Sequence, residues 1–465
     1  METNTPHAEP TLSEAMLRRL DTPGPRYTSY PTADRFHTRF VDSDYVHALA
    51  QVGSGGAKPL SVYVHIPFCE SLCYYCACNK VVTRHHDRAQ RYLDTLLHEI
   101  RLHAERLGGR RAMSQLHFGG GTPTFMSDDE LERLVGALNE AFDRTGDIEA
   151  SIEVDPRTVT PDRLQALTGM GFNRISFGVQ DFDAQVQKAV HRIQPEAQVR
   201  QLMEAAREQG YQSINVDLIY GLPRQTGESF ARTVEQVVDL RPDRIALYAY
   251  AHLPQRFKPQ RRIHEADLPM PQERVKMLAT AIERFTAQGY DYIGMDHFAL
   301  RDDALAVAKR EGRLHRNFQG YTTRPDCDLL GLGVSSIARV GPTYGQNAKT
   351  LDEYYEAIDA GRFATQRGFA LSADDLLRRD VIMALMCQGR VEFGAIEAAH
   401  SIDFASTFAA ELDELRSLVE MDWVSLEPRA VQVTALGWYF VRSVASVFDA
   451  YLRRDQSRRG YSRMV

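Results

Sequence analysis

Four of the six cysteines crowd into one short segment, His65-Ile66-Pro67-Phe68-Cys69-Glu70-Ser71-Leu72-Cys73-Tyr74-Tyr75-Cys76-Ala77-Cys78. Thiolates are soft ligands that select zinc, copper or iron–sulfur clusters. Cys69, Cys73 and Cys76, spaced by four and three residues, can wrap one cubane within a single loop. A 4Fe–4S cluster ordinarily takes four thiolates, so three would leave one iron open to a small molecule. A structural zinc site is the competing reading, but it wants a second Cys or His pair, and none of that kind follows. Cys78 can serve as a fourth ligand only with one residue between it and Cys76, which crowds a tetrahedron. Cys327 and Cys387 stand alone and read as small core residues.

The elements around this loop alternate. Candidate strands are Leu60–Ile66, Gln115–Phe118, Ala150–Val154, Arg174–Val179, Ser213–Ile219 and Arg244–Tyr250. Helical patterns fall at Ala89–Arg106, Asp128–Phe142, Pro161–Gly169, Pro195–Gln209 and Glu228–Asp239. Several strands are near-continuous apolar runs, as expected where both faces are buried. Ser127-Asp128-Asp129-Glu130 is a good helix start. Six strand–helix repeats predict an α/β fold with a parallel sheet and right-handed crossovers, too few for a closed eight-stranded barrel. An open, partial (β/α)6 barrel is expected, with ligands at the C-terminal ends of its strands. The cysteine loop follows the first strand, Gly119-Gly120-Gly121 follows the second, and Glu153 ends the third.

The 465 residues are 43% hydrophobic, enough for one large domain and a smaller one. We expect a loosely structured N-terminal segment (1–57) with a helix near Asp42–Gln51 and a Gly53-Ser54-Gly55-Gly56 linker, a barrel domain with its extension (58–370), and a mostly helical C-terminal domain (371–465). Helices are expected there at Asp374–Gln388, Ala405–Met421 and Ala435–Leu452, with a hairpin of Trp423–Leu426 and Val431–Val433 before an Arg-rich tail. The net charge of −7 points to neither a nucleic-acid nor a membrane partner. The polar METNTPHAEP start has no signal-peptide core, and no apolar run is long enough to span a bilayer, so the cytoplasm is the expected compartment.

The Cys-x-x-x-Cys-x-x-Cys loop resembles that of the radical S-adenosylmethionine superfamily. The stretches His65–Arg84, His117–Thr124, Ile219–Thr226, Gly294–Phe298, Asn317–Thr323 and Leu330–Ser335, with Arg26-Tyr27-Thr28-Ser29-Tyr30-Pro31-Thr32-Ala33, resemble the oxygen-independent coproporphyrinogen III oxidase family. That resemblance implies one 4Fe–4S cluster on Cys69, Cys73 and Cys76 and two S-adenosylmethionine molecules. It implies that a 5′-deoxyadenosyl radical takes a hydrogen atom from the β-carbon of a substrate propionate, and that loss of carbon dioxide and one electron leaves a vinyl group. Carried over position by position, the first S-adenosylmethionine would contact Tyr63, Gly120, Glu153 and Ile337. The second would contact Tyr75, Gly121, Thr122, Gln180, Arg192, Asp217 and Ala251. The residue types suit such contacts, because glycine admits a close backbone approach, carboxylates accept from hydroxyl or ammonium groups, and arginine pairs with a carboxylate two-pronged. Each also has a bland reading: Glu153 as a loop residue capping a helix, Arg192 as a solvated helix-end charge, Tyr63 as core. Asp217, in an apolar strand, needs a partner.

Cys78 matches the oxidase family, whereas haem-trafficking relatives usually carry phenylalanine there and lack the Arg26–Ala33 segment. Cys78 therefore reads as a catalytic or structural thiol beside the cluster. A haem carrier without oxidase activity is the alternative, and a zinc-stabilised interaction protein a third. Arg26 and Tyr27 are the candidates to hold a propionate and pack on the tetrapyrrole. The resemblance also implies a monomer that takes electrons from a donor, flavodoxin-like or similar, which the sequence does not identify.

Overall fold

The computed structural model describes residues 24–54, 58–324 and 327–455. The N-terminal decapeptide, Gly55 and Gly56 of the linker, and Arg458, Arg459 and Arg463 of the tail lie outside them. The chain forms two compact units. One comprises Asp34–Pro269 and Arg324–Ser372, the other residues 24–33, Met270–Thr323 and 373–455. These units do not follow the expected boundaries at 57 and 370. The N-terminal stretch splits at Ala33, and an insertion within the expected barrel domain belongs with the C-terminal residues.

In the first unit, six parallel strands follow chain order: β1 (Leu60–Ile66), β2 (Ala112–Gly120), β3 (Asp143–Val154), β4 (Arg174–Gln180), β5 (Ser213–Tyr220) and β6 (Arg244–Ala249). β1 is central and its Val62 and Val64 are fully buried. On its other side lies β7 (Asp328–Leu332), parallel to β1. Then come the antiparallel β8 (Ile337–Val340), β9 (Thr343–Asn347) and β10 (Thr365–Ala370). The order β10-β9-β8-β7-β1-β2-β3-β4-β5-β6 is an open sheet, as the strand–helix count predicts. β7 to β10 were not anticipated as strands. They are four to six residues long, too short for a periodicity to declare itself.

The crossover helices bury one face each. Asp87–Leu107 lays Leu93, Leu96, Ile100 and Leu107 against the sheet, each leucine contributing about 1.5–3 kcal/mol. It stops at Gly108, whose φ of +69° suits glycine. Asp128–Ala141 starts in the expected capping box: Ser127 Oγ accepts from the Glu130 N–H and Glu130 Oε2 from the Ser127 N–H. The N-terminal helix Asp42–Ser54 also belongs to this unit, with Tyr45 bonded to His103 at 3.0 Å. It is therefore packed, not loose.

In the second unit, helix Ala373–Gln388 and a hairpin of Val424–Glu427 with Ala430–Val433 form as expected, and Arg390–Glu392 adds a third strand to the hairpin. Two expected helices are broken. Ala405–Met421 is interrupted at Phe408, which leaves helical geometry and is fully buried against Phe404 and Phe448. Ala435–Leu452 becomes the short turns Gly437–Phe440, Val441–Ser446 and Ala450–Arg454. The last is capped afresh by Asp449. A hairpin of Tyr290–Gly294 and His297–Leu300 is also here.

Candidate active site

β1 delivers the chain into the cysteine loop. Phe68–Cys69 pairs with Val81–Val82, which closes the loop at its base. Its far side is pinned from other elements. The Tyr74 N–H donates to the Val190 carbonyl at 3.0 Å, and Gln260 Nε2 donates to the Tyr75 carbonyl at 2.9 Å. His191 stacks on Tyr74 with rings 5.1 Å apart. A loop clamped by three separate segments can hold its thiols in a fixed arrangement.

The three glycines that end and follow β2 are each required by a close approach. A Cβ on Gly119 would stand 2.9 Å from the Glu153 carboxylate, and one on Gly121 2.7 Å from the Phe68 carbonyl. Gly120 has φ +114° and a Cβ there would come 2.7 Å from the His65 ring. The run is therefore more than a bend. It brings bare backbone against Glu153, His65 and the start of the cysteine loop.

Glu153 is held from two sides: His117 Nε2 lies 3.2 Å from Oε1 and the Gly120 N–H donates to Oε2 at 3.2 Å. Burial pushes its carboxyl up, but the His117 bond and charge outweigh burial and hold it below the ordinary value. His117 in turn stacks on Tyr63 at 5.7 Å, and the Tyr63 hydroxyl lies 3.0 Å from His65 Nδ1. His65 Nε2 lies 3.0 Å from the Asn79 carbonyl, so Nε2 carries the proton and Nδ1 accepts from Tyr63. Burial lowers the His65 pKa and keeps the ring neutral. Asp217 has the partners a buried carboxylate needs, Ser176 Oγ at 3.2 Å and Asn215 Nδ2 at 2.8 Å. Burial, aided by the Glu153 charge, pushes it up to about 7.

Arg192 is buried, not a solvated helix end. Its guanidinium donates to Asp155 Oδ2 at 3.1 Å, to the Gly178 carbonyl at 2.5 Å and to Cys73 Sγ at 3.4 Å. Arg157 embraces Asp155 through Nε and Nη2 and also reaches Cys73 Sγ at 3.5 Å. Two guanidinium groups thus face one sulfur. Thr122 Oγ1 donates to Cys69 Sγ at 3.7 Å, yet burial still pushes the Cys69 thiol up to about 11. A bond from the Cys78 thiol holds Cys76 below the usual thiol range and Cys78 above it. Lys80 Nζ donates to the Cys76 carbonyl at 3.1 Å.

These groups surround one cavity of about 500 Å³. Cys69, Cys73, Cys76, Cys78, Tyr75, Gly120, Gly121, Thr122, Glu153, Gln180, Arg192 and Asp217 all line it. Among the described residues, no three His, Cys, Asp or Glu side chains converge on a point that a single metal ion would occupy. A cubane asks for something else: each thiolate takes a different iron, so the sulfurs stand apart around a volume. All three thiols line the one cavity, and soft thiolates of this kind suit an iron–sulfur cluster.

Residues 63–237 match the radical SAM superfamily, and residues 371–440 match the HemN C-terminal domain. The chain is 48% identical over 451 residues to the oxygen-independent coproporphyrinogen III oxidase of Escherichia coli K12, covering 97% of this chain and 98% of that one. It is 47% identical over 454 residues to the enzyme of that name from Pseudomonas aeruginosa, with the same coverage. The chain belongs to the oxygen-independent coproporphyrinogen III oxidase family. The solved coproporphyrinogen III oxidase of E. coli, a radical SAM enzyme, superposes with a TM-score of 0.89 at 49% identity, covering 92% of this chain and 98% of that one.

Within this oxidase-family chain, three of the expected cofactor contacts stand outside the cavity lining. Tyr63 reaches it through His117 and Glu153. Ala251 accepts from Gln260, which also holds Tyr75. Ile337 lies on β8, its carbonyl where a Cβ on Gly331 would fall, and Gly331 is the register partner of Tyr63. Arg26 and Tyr27 are not brought to the cavity lining. They belong to the second unit, where Arg26 pairs with Asp296 and the Tyr27 hydroxyl donates to Asp449 Oδ2 at 3.0 Å. Tyr27 is fully buried. What brings Tyr27 there is a carboxylate 422 positions along the chain, which no local pattern announces. Sequence reasoning also missed His65, His117, Asp155 and Arg157. Asp155-Pro156-Arg157 directly after the third strand was the available signal.

Proposed function

We propose that this chain converts two propionates of coproporphyrinogen III into vinyl groups, giving protoporphyrinogen IX without oxygen. The reading is carried by near full-length identity to the curated oxidases in a chain whose three soft thiols line one cavity. Cys69, Cys73 and Cys76 would hold the 4Fe–4S cluster. When bound, the cluster and S-adenosylmethionine supply the radical that removes hydrogen from the propionate β-carbon, after which carbon dioxide and one electron leave.

The protein's own residues position and shield. Tyr63, Gly120, Glu153 and Ile337 form one S-adenosylmethionine site. Tyr75, Gly121, Thr122, Gln180, Arg192, Asp217 and Ala251 form a second. Glu153, kept ionised by His117, accepts from an ammonium or hydroxyl group. Asp217, titrating at about 7, can accept or donate toward a ribose hydroxyl at neutral pH. Arg192 holds Asp155 and Cys73 in place, and so sets the wall that both sites share. Cys78 lines the cavity as an exposed thiol and serves the reaction without binding iron. The same reading puts the enzyme in the cytoplasm as a monomer fed by a flavodoxin-like or similar donor. Among the described residues, no helix is long and apolar enough to cross a membrane.

The test is an anaerobic assay of the reduced protein with S-adenosylmethionine and coproporphyrinogen III, analysed for vinyl products and 5′-deoxyadenosine. Haem binding with no vinyl product would instead support a haem carrier.

A further inference from the structure

The three thiols that line the cavity have polar neighbours of different kinds. Cys69 Sγ takes the Thr122 hydroxyl at 3.7 Å. Cys76 takes a bond from the Cys78 thiol, and Lys80 Nζ sits on its carbonyl at 3.1 Å. Cys73 is the buried one of the three, and it takes two guanidinium groups. Arg157 Nη2 donates to its Sγ at 3.5 Å and Arg192 Nη1 at 3.4 Å. Cys73, Asp155, Arg157 and Arg192 all line the same cavity.

Arg157 is held in this pose from several directions. Its Nε donates to Asp155 Oδ1 at 2.9 Å and its Nη2 to Oδ2 at 2.6 Å. Its backbone N–H donates to Asp155 Oδ1 at 3.1 Å. The turn beneath is tied down as well. The Thr158 N–H and hydroxyl both donate to the Asp155 carbonyl, and Gln198 Nε2 donates to the Pro156 carbonyl at 2.8 Å. Arg192 closes the group from the other side, with Nη1 on Asp155 Oδ2 at 3.1 Å and its other nitrogens on the Gly178 carbonyl. The Asp155, Arg157 and Arg192 side chains are 10%, 18% and 7% exposed, so water and salt screen them little. Arg192 and the Arg157 backbone already serve Asp155. What the Arg157 side chain adds is a second N–H and a second positive charge on Cys73, which leaves the group with a net positive charge against one sulfur.

We propose that Arg157 is a positioning residue that raises the reduction potential of the cluster through its N–H and its charge on Cys73 Sγ. This rests on the functional reading above, in which Cys73 is one of three thiolates around a 4Fe–4S cluster. Reduction adds one electron, delivered by the one-electron donor of the enzyme or by dithionite in an assay. The cluster with its thiolates then becomes one charge more negative. A fixed positive charge and an N–H on a ligand sulfur stabilise that more negative state. Hydrogen bonds to the sulfurs and the local charge are among the means by which a protein sets such potentials.

The test is a redox titration of the full-length, anaerobically reconstituted protein, followed by the electron paramagnetic resonance signal of the reduced cluster. Iron and sulfide are counted in every sample. Arg157→Gln removes the charge and should lower the reduction equilibrium about tenfold, equivalent to about 59 mV for one electron. Asp155→Asn removes the opposing charge, keeps an acceptor for both arginines and should shift the potential upward. Opposite shifts from the two halves of one ion pair are what a merely structural role would not produce. Arg163 pairs with Asp128 and the Met126 carbonyl and does not line the cavity, so Arg163→Gln should leave the equilibrium within about twofold. Should Arg157→Gln hold no cluster, the sign of the Asp155→Asn shift decides. An equilibrium for Arg157→Gln within about twofold of the unmodified protein, or a downward shift in Asp155→Asn, would overturn the proposal. So would loss of vinyl product in Arg157→Gln at an unchanged potential, because Arg157 would then be a substrate or cofactor contact. No iron–sulfur cluster in the unmodified protein would instead overturn the functional reading, and the proposal with it.

Discussion

Gly120→Ala should cost this protein far more than a methyl group ordinarily does. The added Cβ would stand 2.7 Å from the His65 ring, where van der Waals contact needs at least 3.4 Å. The ring cannot simply yield. It is buried, with Nδ1 held by Tyr63 and Nε2 by the Asn79 carbonyl, each at 3.0 Å. Displacing it weakens both bonds, about 1 kcal/mol each, and φ of +114° adds strain of about 1–3 kcal/mol for any residue but glycine. The expected loss is about 3–5 kcal/mol. Part of it should reach the cluster, because Asn79 follows Cys78 directly. The assay is chemical denaturation alongside iron and sulfide counts after anaerobic reconstitution. Gly136→Ala is the control. It lies in helix Asp128–Ala141, and its Cβ would meet nothing within 4 Å, so it should be neutral or stabilise by about 0.5–1 kcal/mol. A double cycle with His65→Ala isolates the clash, and the pair should be non-additive by about 1–3 kcal/mol. Equal stability of Gly120→Ala and Gly136→Ala, or strict additivity with His65→Ala, would refute the reasoning.

Other outcomes follow from the same contacts. Cys69→Ala, Cys73→Ala and Cys76→Ala should each abolish cluster assembly, since three thiolates leave none to spare. Cys78→Ser should keep its iron but lose most oxidase activity, and iron loss equal to that of Cys76→Ala would make Cys78 a ligand. Glu99 is fully buried, accepts from Gly333, Asn347 and Tyr354, and is pushed by burial from 4.5 to about 7. A folded-state pKa above the unfolded one means the folded chain binds the proton more tightly. Its contribution is therefore complete below about pH 4.5 and lost as pH rises through about 7, a swing of about 3 kcal/mol. The stability gap between the unmodified protein and Glu99→Gln should move by that amount in denaturant titrations over this window, and a gap independent of pH would exclude it. Tyr27→Phe should lower stability by about 1.5–3 kcal/mol through the lost bond to Asp449, with S-adenosylmethionine cleavage retained. A variant as stable as the parent but unable to decarboxylate would return Tyr27 to the substrate.

Local pattern was enough for the elements that repeat. Leu60–Ile66 and Pro161–Gly169 form as read, and the other barrel strands and helices differ mainly at their ends. Apolar runs, caps and spacing are properties of neighbouring residues, and the cysteine loop is one as well: its thiols lie within one short stretch of chain, so the cluster chemistry they suggest is legible from their order. The short β7 to β10 and the interrupted helices of the second unit were not, because burial of Phe408 and the cap at Asp449 override the local period. Distance along the chain hid the remainder. Arg157 and Arg192 converge on Cys73 from two different loops, and Tyr27 meets Asp449 across almost the whole sequence. A charge or a hydroxyl carries no mark of its partner in the sequence. Which groups neutralise, orient or crowd one another is settled by where the sheet brings its loops, so the tertiary structure alone decided that Arg192 is a buried strut and that Tyr27 meets Asp449.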